Sequence, residues 1–195
     1  MKCLSTGRVV FCALLICAFV GIVVGQNETP KAQSPAQSAQ PQLQANPSDV
    51  ATVDSIVAAV YDVISGPAAK KRDWDRMRSL FIPGARLIPT AKRQSGAFQS
   101  NVLTVDDFIQ RSDPFLVKEG FFEMEVARAA ETFGNIAHVF STYESRHNAD
   151  DANPFQRGIN SIQLMKDGKR WWIVTIFWQG EDEKNRIPEK YLKKN

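Results

Sequence analysis

Four long segments rich in β-branched and aromatic residues follow one another with no helical pattern between them: residues 121–133, 136–146, 158–165 and 171–179. Strands joined by short polar turns pair as an antiparallel meander, because a parallel pair needs a crossover of about a dozen residues or more. The turns are Gly134-Asn135, the polar stretch 147–154, and Asp167-Gly168, a strong hairpin signal between two apolar strands. A meander this long has to bury at least one face, and the chain supplies helices for that purpose upstream.

The first helix reads from a cap at Ser48 or Asp49, with Val50, Val53, Ile56, Val57, Val60 and Ile64 on one stripe. Gly66-Pro67 ends it. Asp73 caps a second, shorter helix carrying Trp74, Met77, Leu80 and Phe81, stopped by Pro83-Gly84. The basic cluster Lys70-Lys71-Arg72 between them reads as a solvated loop. Short strands are expected at 85–89 and 97–103. Thr104-Val105-Asp106-Asp107 then forms a capping box opening a third helix, which Pro114 should kink or end near Asp113. Asp106 and Asp107 look like a catalytic carboxylate pair, but first-turn acids are what a helix N-terminus favours.

The order, three helices and then four strands, specifies an α+β fold. We expect a curved, mostly antiparallel sheet wrapped around three N-terminal helices. The last strand, Trp-Trp-Ile-Val-Thr-Ile-Phe-Trp at 171–178, is apolar at both parities. Its second face needs a cover too, and a second copy of the chain packed sheet to sheet is the simplest one. The tail is expected to pack Ile187, Tyr191 and Leu192 back onto the domain.

Ahead of this domain, which we place at 48–195, lie two segments of other character. Lys2 and Arg8 precede an unbroken apolar run at 9–24 followed by Gly25, the layout of a signal peptide at 1–25 cleaved before Gln26. An uncleaved membrane anchor at 9–24 is the alternative, and the only membrane contact expected. Either way the chain is exported, periplasmic or secreted. Residues 26–47 are dominated by Gln, Ala, Pro and Ser and read as a disordered linker. The sequon Asn27-Glu28-Thr29 is taken as a chance match.

All the cysteines, Cys3, Cys12 and Cys17, fall within that first segment. The folded part therefore has no disulfide, no thiol nucleophile and no thiolate-bound metal. With 24 Lys plus Arg against 21 Asp plus Glu, the net charge of +3 gives no footprint for nucleic acid. No glycine-rich nucleotide loop or metal-ligand spacing occurs, and no cofactor or metal is expected.

Two stretches carry a resemblance. Asp73-Trp74-Asp75-Arg76-Met77-Arg78-Ser79-Leu80-Phe81 with Pro83-Gly84-Ala85-Arg86-Leu87 is similar to the passage from second helix to first strand of the nuclear transport factor 2-like superfamily. Asp167-Gly168-Lys169-Arg170-Trp171-Trp172-Ile173 is similar to its closing hairpin. With the element order, the resemblance covers about residues 50–180. It implies a SnoaL-like or ketosteroid-isomerase-like cone, also called cystatin-like, with a conical pocket between sheet and helices. It does not imply one reaction, since the superfamily holds isomerases, dehydratases, cyclases, epoxide hydrolases and binding modules. The isomerases' general base would fall at or beside Pro89, where Ile88 and Thr90 are the neighbours; none can abstract a proton. Tyr61 stands near the place of their oxyanion-hole tyrosine.

Several residues are weighed as chemistry against scaffold. His138, among Ile136, Val139 and Phe140, is a candidate general base or pocket group, with a hydrogen-bonded wall histidine as the plainer reading. His147 beside Asp150 and Asp151 matches no ligand pattern and reads as exposed. Glu123 and Glu125 share a strand face, with Glu144 and Arg146 on a neighbouring strand. Cross-strand ion pairs on the outer rim explain them best, although Glu144 is a second candidate base. Asn160 and Gln163 are candidate ligand-orienting amides. With Tyr61, His138 and Trp178 they form the expected binding set. The leading reading is an exported homodimer that binds a small, largely apolar molecule with no assignable reaction. An isomerase, dehydratase or hydrolase using a His or Glu base without cofactor or metal is the alternative. A protein-interaction module is the second alternative.

Overall fold

The computed structural model describes residues 43–93 and 95–193. The expected leader and nearly all of the linker, with its sequon, lie outside the described residues. Among the described residues no helix is long and apolar enough to cross a membrane.

Packing begins early, for Ala45 is already in the core. The expected single first helix is two: α1 (Pro47–Val50) and α2 (Val53–Ile64). Neither Ser48 nor Asp49 is the cap. Asn46 caps α1, with Pro47 at its first position, where a missing N–H costs nothing. Thr52 and Ser55 form a reciprocal capping box that restarts the helix, and this local pair overrides the continuous apolar stripe. Asp73 caps α3 (Trp74–Leu80) as expected.

β1 (Phe81–Lys92) follows without a break. Pro83 and Gly84 do not end it but fall within an irregularity of its pairing between Phe81 and Arg86, where Gly84 takes φ 83°. β2 (Phe98–Ser100) is short and exposed. In α4 (Val105–Glu119) the Thr104–Asp107 capping box is present, so Asp107 is a cap. Asp106 pairs with Arg78 at 2.7 Å. The helix runs on past Pro114, contrary to expectation, because tertiary contacts hold its second half. Asp113 accepts from the Trp74 indole N–H at 2.8 Å, the Leu116 carbonyl accepts from Arg72, and Leu116 itself is buried.

The remaining strands fall close to their expected bounds: β3 (Phe122–Phe133), β4 (Ile136–Arg146), β5 (Gln156–Lys166) and β6 (Trp171–Gly180). They form one six-stranded sheet in the order β2-β1-β6-β5-β4-β3. Every pairing is antiparallel except β1 with β6, which the long connection through α4 and the intervening strands allows. The β5–β6 turn is held by Asp167, whose carboxylate accepts from two backbone N–H groups and the Trp172 indole. Arg170 stacks on Trp172, 3.5 Å from the ring centroid.

Of the basic cluster read as a solvated loop, Lys70 and Lys71 are exposed, but Arg72 is not. It is 7% exposed, and its guanidinium donates to the carbonyls of Ile64, Gly66, Lys70 and Leu116. It ties the end of α2 to α4.

The helices cover one face of the sheet. On the other face the tail turns back: Thr142 Oγ1 donates to the Tyr191 carbonyl at 2.5 Å, and the Tyr191 ring lies 4.9 Å from Phe140. Ile187 lies over Ile159 and Phe177 with a hollow of about 310 Å3 between. So the chain itself covers part of the face for which a second copy was expected. Val174 and Phe177 remain 37% and 46% exposed there.

Candidate functional site

Between helices and sheet lies a cavity of about 350 Å3. Its walls are mostly apolar. Val60 and Ile64 come from α2, Met77 from α3, Phe108 and Leu116 from α4, and Leu87, Ile162 and Ile176 from the strands. Phe108 meets Trp178 edge to face at 6.1 Å between centroids.

Strand parity decides which polar groups reach the cavity. In β4 the residues Val139, Ser141, Tyr143 and Ser145 are buried on the helix side. Glu123 pairs with Ser145 and Glu125 with Tyr143, so both glutamates share that side. A bulge after Glu125 shifts the register by one residue, which returns Arg128 to the same side as Glu125. Arg128 bonds Glu125 at 2.7 Å and Asp54 of α2 at 2.5 Å.

The result is a chain of polar contacts whose direction can be worked out. The Ser141 hydroxyl donates to Glu125 Oε2. A serine has one proton, so the 2.7 Å contact between Ser141 and Tyr61 must have Tyr61 donating. The Tyr61 oxygen accepts from Asn160 Nδ2 at 3.0 Å, and the same amide donates to Glu123 Oε1 at 3.3 Å. Ser145 Oγ donates to Glu123 Oε2 at 2.9 Å. Glu123 thus accepts on both oxygens from neutral groups.

Burial at the cavity floor pushes the Glu123 carboxyl up to about 7, against the lowering effect of the Ser145 and Asn160 hydrogen bonds. Burial raises Tyr61 and Tyr143 above the ordinary tyrosine range, and the charge on Glu123 adds to both. The Tyr143 hydroxyl packs against the backbone of Gly158, its cross-strand partner, in space that any Cβ there would fill.

Of the residues expected at the site, Tyr61, Asn160 and Trp178 all line this cavity. His138, Glu144 and Gln163 do not. They belong to the opposite parity of β4 and β5, on the sheet face away from the helices. His138 bonds Ser161 at 3.0 Å and meets the ring of Phe140. Glu144 pairs with Arg146 at 2.7 Å and Arg157 at 3.6 Å. Gln163 is exposed. The rim ion-pair reading therefore holds for Glu144 and Arg146, and is corrected for Glu123 and Glu125, which face the helices. His147 is half-buried rather than exposed, stacked on Phe155 at 4.4 Å. Among the described residues no group of three or more His, Cys, Asp or Glu could hold a metal.

Glu123 is the cavity group that sequence reasoning left on the outer rim. Along Phe122-Glu123-Met124-Glu125-Val126 the apolar residues should face inward, yet Met124 is 47% exposed and the acids point in. The available signal lay on the partner strand. Ser141, Tyr143 and Ser145 recur at every second position, and the two serines supply hydroxyls for the inward carboxylates.

No protein-family profile matches the sequence, and no curated protein matches it. Solved structures do. A protein of unknown function with a cystatin-like fold from Nostoc punctiforme superposes with a TM-score of 0.50 at 12% identity, over 67% of this chain and 90% of that one. An NTF2-like protein of unknown function from Silicibacter pomeroyi gives 0.45 at 16%, covering 67% and 94%. Another from Methylobacillus flagellatus gives 0.43 at 15%, covering 67% and 95%. At these identities the likeness shows the fold alone.

Proposed function

For a chain with this NTF2-like, cystatin-like architecture we propose the function of a small-molecule binder, taking a largely apolar ligand with its polar end at Glu123 and Asn160. The observation that carries this reading is the apolar hollow with a hydrogen-bonding floor. A few placed polar groups in an otherwise apolar cavity give orientation, while the walls supply affinity. Native mass spectrometry of the purified chain should detect, or load, a hydrophobic small molecule. The Ser112→Phe variant, which fills the hollow from α4, should lose it. A wild-type chain that stays empty and takes up no hydrophobic dye would sink the reading. In the same spectra an exported chain beginning at Gln26 would report leader cleavage.

A second reading rests on the same carboxyl. A Glu that titrates near neutrality beside a substrate can both accept and donate a proton, as an isomerase, dehydratase or hydrolase requires. On this reading Glu123 takes the role first sought at His138 or Glu144. The oxyanion-hole role of Tyr61 is not supported, because its proton is directed to Ser141.

The homodimer is also part of the proposal. Exposed Val174 and Phe177, beside the tail-covered part of the sheet, are the surface for it. Light scattering should give twice the chain mass at micromolar concentration, and Phe177→Lys should give one chain mass. A wild-type monomer would count against it.

A further inference from the structure

We propose that the ligand's polar end is an amine, so that the cavity selects hydrophobic organic cations over neutral or acidic molecules of the same shape. This rests on the cavity being a binding site and adds the chemistry of what enters it. Glu125, one pair of residues along the same strand, has a cation: Arg128 bonds it at 2.7 Å. Glu123 has none. Among the described residues no Lys, Arg or His pairs with it, and its two partners are a serine hydroxyl and an asparagine amide. Two donors on two oxygens is the pattern that suits an ionised carboxylate. What is missing is the positive charge that normally accompanies a buried one.

The donors bonded around Glu123 are used up, while Arg111, Ser112 and Gln156 line the cavity without bonding it. Tyr61 gives its proton to Ser141, Ser145 gives its own to Glu123, and both N–H groups of Asn160 are engaged. The adjacent Tyr143 hydroxyl is both donor and acceptor and suits an incoming N–H. At Glu123 itself a ligand carbonyl or carboxylate would meet an acceptor, whereas an ammonium would meet the partner it needs. The walls agree. Phe108, Phe121, Tyr143 and Trp178 present aromatic surface to the cavity, and aromatic faces attract cations. Burial raises the carboxyl for want of a counter-charge, and a bound cation would reverse that shift.

The test uses three probes sharing one skeleton, 4-phenylbutylamine, 4-phenylbutanol and 4-phenylbutyrate, titrated at pH 8 into the full chain against a bound hydrophobic dye. The amine should bind at least about tenfold more tightly than the alcohol, with the acid weakest. In Glu123→Gln the amine should fall to within about twofold of the alcohol, whose own affinity should barely move. The surface control Glu131→Gln should match wild type. An alcohol that binds as well as the amine, or an amine preference that survives Glu123→Gln, overturns this inference and leaves the binding site standing. If the dye does not bind at all, the site itself fails and the inference fails with it.

Discussion

Arg72→Met is expected to lower the free energy of unfolding by about 3–5 kcal/mol, among the largest single-residue effects a chain of this size shows. Methionine keeps the apolar stem but none of the donors. The carbonyls of Ile64 and Leu116 then lose a buried partner together while that of Gly66 keeps only the Phe121 N–H, and each unsatisfied group costs about 1–3 kcal/mol less whatever water can recover. Lysine should recover only part, since one ammonium cannot reach acceptors spread across a planar fork. Gly66→Ala presses on the same clamp, because its Cβ would stand 2.8 Å from Arg72 Nη1. The double variant should therefore be less than additive. Urea unfolding reads the effect as a lower midpoint at unchanged slope. A loss below about 1 kcal/mol would mean that the clamp does not hold α2 to α4.

Glu123→Gln is expected to act in the opposite direction. The carboxyl sits at about 7 in the folded chain against 4.5 for its ordinary value. Between those two pH values the native state holds more proton than the unfolded state, so stability falls as pH rises through the window. By pH 8 the accumulated cost is about 3 kcal/mol, since each pH step between the two values contributes about 1.4 kcal/mol. Glutamine carries no charge and removes that cost. It also turns one acceptor into a donor facing Ser145 or Asn160, which gives back about 1 kcal/mol. The variant should thus be more stable than wild type by about 2 kcal/mol at pH 8 and less so near pH 5. The charged and titratable groups around Glu123 are Tyr61 from α2, Tyr143 from β4, Arg111 from α4, and Glu125 with Arg128 on its own strand. All are shared by both proteins, as are the histidines. The difference between the two pH curves therefore isolates this carboxyl. A variant that tracks wild type across pH 5 to 8, or is weaker at pH 8, would refute it. A candidate site residue whose removal stabilises the fold is what a group kept for binding or proton transfer should look like.

These two residues mark the limits of reading by local pattern. Asp73, Thr104 and Asp167-Gly168 announce their caps and turn in the sequence, because such groups act on backbone a few residues away. Arg72 sits among basic residues in a connection, and nothing nearby in sequence shows that α4 will bring the Leu116 carbonyl to it. Pro114 is the same lesson in reverse. Its local effect is to end a helix, and contacts from Trp74 and Arg72 prevent that.

Tyr61, Asn160 and Trp178 were legible as cavity residues, and His138, Glu144 and Gln163 were misplaced. The difference is a single parity, since adjacent residues of a strand point to opposite faces and one step of register exchanges them all. Hydrophobic alternation settles parity only where one face is polar, and β3, β4 and β5 carry mixed residues on both. The amino-acid order by itself determined the helices, the strands and their sequence along the chain, because periodicity, caps and turns are local. Only the folded structure decided which face of each strand looks into the hollow, because an inward Glu123 is tolerable solely where Ser145 and Asn160, contributed by other strands, stand ready to bond it.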